Sequence, residues 1–154
     1  MEMPKPGPEH EKLICMVGTW VGEEIMHPSN WDPKGGTAQG IYDLRAALGG
    51  FAVIGDYEQR RGEQVTFSGH GIYRYDRESK QYECHWFDSM GGSRDLFRGS
   101  FEDDKLCLIS KGPLGWFRLT WDLSQPGRFS STMEQSSDGE SFKMMFEAVY
   151  QKSK

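Results

Sequence analysis

The chain is predicted to be all-β: an up-and-down antiparallel β-barrel of about ten strands, with a short N-terminal helix plugging one end. Three observations predict it. Ten short strand-forming runs, each closed by a Gly, Pro or Asp cluster, fill the sequence from Trp20 to Lys152. No helical stretch separates them, so neighbouring runs pair and the sheet must close on itself or fold into a sandwich. Hydrophobic residues make up only 36% but aromatics reach 13%, which suits a barrel lined by rings better than a Leu- and Ala-rich bundle.

The elements follow in order. Residues 1–8 carry three prolines and a glycine and are expected to form a flexible tail, leaving residues 9–154 as a single barrel domain. Pro8 to Val17 has helical character: Pro and Glu at its start, Leu13, Ile14 and Val17 at helical spacing, Gly18 as its stop. Under three turns long, this helix must dock on the barrel to persist. The first five strands are placed at Thr19–Met26, Thr37–Leu48, Phe51–Arg60, Gln64–Asp76 and Gln81–Asp88. The last five are placed at Arg94–Phe101, Lys105–Lys111, Trp116–Leu123, Arg128–Gln135 and Ser141–Gln151. Gly49–Gly50 is the sharpest turn signal, because paired positive-φ residues suit a two-residue hairpin.

In such a meander, alternate connections lie at opposite rims. One rim collects the tight links at Gly49–Gly50, Arg77–Lys80, Glu102–Asp104 and Ser124–Gly127, and the helix enters there. That rim is expected to be closed and the mouth to lie at the other. Alternation then sorts the faces. The Gly49–Gly50 turn pairs Leu48 with Phe51, Ala46 with Val53, Leu44 with Gly55 and Tyr42 with Tyr57, all on one apolar face. The eighth run puts Phe117, Leu119, Trp121 and Leu123 together, and the tenth Phe142, Met144, Phe146, Ala148 and Tyr150. An even turn at Arg77–Lys80 sets Tyr75 against Tyr82, Tyr73 against Cys84 and Gly71 against Trp86, with room for the indole over the glycine. Asp88 shares that face, and His70 and His85 share the other.

Several function classes are excluded. A net charge of −5 with scattered Lys and Arg offers no basic stripe for nucleic acid and no face for an anionic membrane. No run approaches a membrane span or a signal peptide, so a cytoplasmic protein is expected. Cys15, Cys84 and Cys107 are odd in number and show no metal spacing, and Cys84 and Cys107, inside strand runs, read as reduced, buried thiols. No phosphate loop or nucleophile elbow is present, and neither a metal nor a cofactor is expected.

Gly18-Thr19-Trp20, just after the short helix, resembles the Gly-x-Trp opening of calycin-type barrels, the lipocalins and fatty-acid-binding proteins. The resemblance implies that Trp20 closes the barrel base, with Lys152 as the basic residue over it. Joined with Gly22-Glu23-Glu24, Trp31-Asp32-Pro33-Lys34-Gly35-Gly36, Gly69-His70-Gly71 and Trp86-Phe87-Asp88-Ser89-Met90-Gly91-Gly92, it becomes specific. From Leu13 to Tyr150 the chain resembles a mainly bacterial family, domain of unknown function 1579, which implies the fold and transfers no site. A haem barrel of the nitrobindin kind shares the Gly-Thr-Trp opening but needs a late axial histidine, and none lies beyond His85.

Ten strands enclose more space than the roughly eight whose side chains fill a barrel, so a cavity is expected. The leading reading is a soluble binding protein for a small apolar or amphipathic molecule. Tyr42, Tyr57, Tyr73, Trp86, Met144 and Phe146 would line its cavity, with Asp88 as polar anchor near the mouth. Trp31 and its Gly-rich loop read either as a lid or as a turn pinned by one indole. A second reading is an enzyme using His85 or His70 as general base in that cavity. A third is a structural or interaction module, a homodimer joined through an outer face, with a filled interior.

Overall fold

The computed structural model describes residues 1–30 and 32–153, and among these the sheet closes. Helix α1 (Pro8–Ile14) precedes β1 (Gly18–Met26), β2 (Gly36–Ala47), β3 (Ala52–Arg61), β4 (Gln64–Asp76) and β5 (Gln81–Asp88). Then come β6 (Asp95–Glu102), β7 (Lys105–Gly112), β8 (Gly115–Gln125), β9 (Arg128–Ser136) and β10 (Lys143–Lys152). Each strand pairs antiparallel with the next, and β1 pairs with β10 from Trp20↔Lys152 to Met26↔Phe146, leaving no free edge.

The first hairpin keeps its predicted register, with Tyr42↔Tyr57, Leu44↔Gly55 and Ala46↔Val53 opposed. Its turn is longer than expected. Pairing stops at Ala47↔Ala52, and Leu48–Gly50 forms a 3-10 turn in which the Phe51 amide donates to the Leu48 carbonyl. Two residues and four residues are both even, so the inner face is unchanged up to Leu44, while Leu48 stands in solvent.

Helix α1 is also shorter than expected. The Met16 and Val17 amides bond the Leu13 and Ile14 carbonyls three residues back, which tightens the chain after Ile14. That turn buries Met16 in the barrel base beside Leu13. The base is then tied from three sides. Trp20 Nε1 donates to the Met16 carbonyl at 2.9 Å, Tyr82 Oη to Glu9 at 2.8 Å, and Lys12 Nζ to Asp103 at 3.3 Å. Lys152 lies over the Trp20 ring at 5.7 Å, the cation–π contact the calycin resemblance implies. The tight rim is therefore the closed end.

Two local corrections bear on the site. Between β4 and β5 the register is as expected, Gly71↔Trp86 included, but the indole leans diagonally over Gly69. A Cβ there would stand 2.1 Å from Trp86 Cζ2. In β10 a bulge at Met145 interrupts pairing between Met144↔Glu134 and Phe146↔Met133. One extra residue reverses the alternation of everything before it. Met144 therefore lies opposite outward-facing Glu134, Met145 turns inward, and Phe142 packs outside under the Arg118 guanidinium at 4.0 Å.

Candidate functional site

Above the packed base the barrel holds a cavity of about 420 Å³. The strands supply its wall by alternation: Tyr42 from β2, Tyr57 and Gln59 from β3, Phe67 and Tyr73 from β4, Cys84, Trp86 and Asp88 from β5. The far wall brings Asp95 and Phe97 from β6, Ser110 from β7, Phe117 and Leu119 from β8, Ser131 and Met133 from β9, and Met145 and Phe146 from β10. Tyr42, Tyr57, Tyr73, Trp86, Asp88 and Phe146 thus stand on the wall where sequence reasoning put them. Met144 does not, because the bulge hands its place to Met145.

The charged groups of this wall are acidic. Asp88 accepts the Trp86 indole N–H at 3.0 Å on one oxygen and the Met90 amide at 3.0 Å on the other, so indole and carboxylate hold each other at the mouth. Asp95, opposite Trp86 on β6, has its pKa raised, first by burial and then by the negative charge of Asp88. Among the described residues no Lys, Arg or His lines the cavity.

Behind the wall lies Glu24, fully buried at 0% exposure. Its carboxylate accepts the Tyr57 hydroxyl at 2.7 and 2.8 Å, Gln59 Nε2 at 3.1 Å, and the Tyr150 hydroxyl. Burial raises the Glu24 pKa more than these hydrogen bonds lower it. The carboxylate fits only because Gly40 is opposite: a Cβ there would stand 2.0 Å from Glu24 Oε2. Sequence reasoning passed over this residue. The signal was present, since Trp20, Gly22 and Glu24 share one face and Trp20 was already assigned inward.

Two wall groups have unusual surroundings. Burial pushes the Cys84 thiol up to about 12, with the Tyr73 hydroxyl beside it, so the sulfur stays protonated and weakly nucleophilic at neutral pH. Ser131 is 1% exposed, and its Oγ has no hydrogen-bond partner among the described residues.

The acid–base candidates lie elsewhere. His70 Nδ1 pairs with Asp56 on the adjacent strand at 2.8 Å, on the outer surface. His85 Nε2 meets Glu83 Oε1 at 3.2 Å, also outside. Glu83 is held there by Arg74 at 2.8 Å and Arg98 at 2.9 Å, which with His85 keep its pKa low against burial. The reason is parity. Once Gly71 and Trp86 face inward, their neighbours His70 and His85 face outward, and Asp88 cannot join either. The expectation of a cavity imidazole is corrected accordingly. The Trp31 half of the lid reading lies outside the described residues; Asp32 in the same loop is bound to Arg61 Nη2 at 2.6 Å.

A closed ten-stranded meander, stopped at one end by a helix and hollow at the other, defines a calycin-like barrel. The chain belongs to a protein family of unknown function, DUF1579, whose pattern matches residues 5–152. No curated protein matches it in sequence at a significant level. Among solved structures it is similar to Rv2717c from M. tuberculosis, with a TM-score of 0.73 at 14% identity over 96% of this chain and 99% of that one. It is also similar to the S-type phycobiliprotein lyase CPES from Guillardia theta, with a TM-score of 0.61 at 9% identity over 97% and 99%. At these identities the likeness is one of fold. Among the described residues no helix is long and apolar enough to cross a membrane.

Proposed function

We propose that this protein is a soluble, cytoplasmic carrier or sensor of one small, mostly apolar molecule, held inside the barrel. The cavity itself carries the reading. Its volume of about 420 Å³ lies within the range of small-molecule sites, and aromatic and aliphatic side chains make most of its wall. Apolar area removed from water, at about 25 cal/mol per Å², would supply the affinity, and the few polar groups the orientation. That a lyase shares the fold supports a working interior over a filled scaffold. General-base catalysis by histidine finds no support, since none of the four histidines lines the cavity.

The test is native mass spectrometry of freshly purified protein, followed by titration with a neutral apolar fluorophore. A retained small mass, or one saturable probe site that weakens roughly tenfold in Trp86→Ala, is expected. No retained mass together with unchanged probe affinity in that variant would overturn the reading.

A further inference from the structure

The charge distribution inside the barrel says more about the occupant than its volume does. Two carboxyl groups, Asp88 and Asp95, stand on the cavity wall near its mouth, the first half-buried and the second exposed. Among the described residues no basic side chain lines the cavity with them. Lys152 lies over Trp20 at the closed base, and Arg61 is bound to Asp32 at the rim. An anion entering past them would meet negative charge with no basic side chain on the wall to offset it, whereas a cation would be attracted.

One further observation points to a ligand rather than to an acidic surface patch. The two carboxylates share their cavity with the rings of Tyr57, Phe67 and Trp86, and an aromatic ring attracts a cation placed over its face.

We propose that the occupant is an amphipathic organic cation: an apolar body among the rings and a protonated amine against Asp88 and Asp95. This rests on the cavity being a binding site, and it excludes fatty-acid-like anions from that site. Burial first, and then the charge of Asp88, raise the pKa of Asp95, and a bound cation would relieve the second.

The experiment uses three anthracene probes of one ring system, followed by fluorescence near neutral pH: the 9-methylammonium, the neutral 9-methanol and the 9-carboxylate. Binding of the alcohol, an ammonium roughly tenfold tighter, and a carboxylate weaker than the alcohol are expected. In an Asp88→Asn, Asp95→Asn double variant the ammonium should fall to the affinity of the alcohol. A circular-dichroism spectrum matching wild type reports that the variant is folded, and single Asp95→Asn, which leaves the Trp86–Asp88 bond in place, serves if the double variant fails to fold, the preference for the ammonium over the alcohol then shrinking several-fold. An ammonium that binds no tighter than the alcohol overturns the proposal while leaving the cavity reading intact. Failure of all three probes overturns both.

Discussion

At the helix-stopped end Trp20, Trp121, Phe129 and Tyr150 meet ring to ring, with Trp121 and Phe129 stacked at 4.4 Å, whereas at the other end Phe67, Trp86, Phe117 and Phe146 stand around open space. Both halves use the same residue types on the same alternating strands. The difference comes from what else is present. The base receives Leu13 and Met16 from outside the sheet, and those side chains fill it. The mouth receives nothing comparable from the described loops. A barrel of this circumference is therefore solid only where a second element supplies volume. One half stabilises the fold; the other is left available for an occupant.

The comparison is most directly broken by paired truncations. Trp121→Ala, in the packed base, should lower unfolding free energy by roughly 3–5 kcal/mol in urea titrations, because the void cannot collapse. Trp86→Ala, on the cavity wall, should cost less than half of that, since one side of its ring already lacks packing partners. Equal losses would mean that the two halves are packed alike.

A finer contrast compares two glycines with nearly the same clash distance. A Cβ at Gly40 would meet Glu24 Oε2 at 2.0 Å and Tyr150 Cε1 at 2.9 Å, both locked in the buried network. A Cβ at Gly69 would meet the edge of Trp86 at 2.1 Å, and that ring has the cavity to move into. Gly40→Ala should therefore destabilise by roughly 1–3 kcal/mol, and Gly69→Ala by distinctly less while weakening probe binding. The reverse order, read by denaturation and fluorescence together, would refute the assignment of locked and free sides.

The smallest effect is electrostatic. Burial raises the folded-state pKa of Glu24 above its ordinary 4.5, so the native chain holds this proton more tightly than the unfolded one. The stability it contributes is full below pH 4.5 and is lost as pH climbs through the raised value. Wild type should lose urea resistance over that interval relative to Glu24→Gln, which carries no such proton. Parallel pH curves for the two proteins would show that Glu24 titrates normally.

Much of the fold was legible because its signals are local. Turn clusters such as Gly49–Gly50 and Ser124–Gly127, and the alternation Phe117-Leu119-Trp121, specify strands and faces without reference to distant residues. The faces of His70 and His85 followed from the even turn at Arg77–Lys80. Met144 was misplaced because the bulge at Met145 arises from the register β10 must keep with both β9 and β1, and no residue type announces it. Gly69, not Gly71, accommodates the indole because a side chain leans along its strand, which period-two reasoning ignores. Asp95 was missed as well, since its importance lies in facing Asp88 across β5 and β6.

By itself the sequence determined how many strands form, their order, which rim the helix stops and which residues alternate inward, because each depends on chain-local geometry and the period of the pleat. Tertiary structure decided where the hollow lies and what surrounds it. Glu24, Tyr57, Gln59 and Tyr150 come from the first, third and tenth strands, and only closure brings them within hydrogen-bond reach. Volume and charge inside a barrel are sums over strands far apart in the chain, so they exist only once the ring is complete.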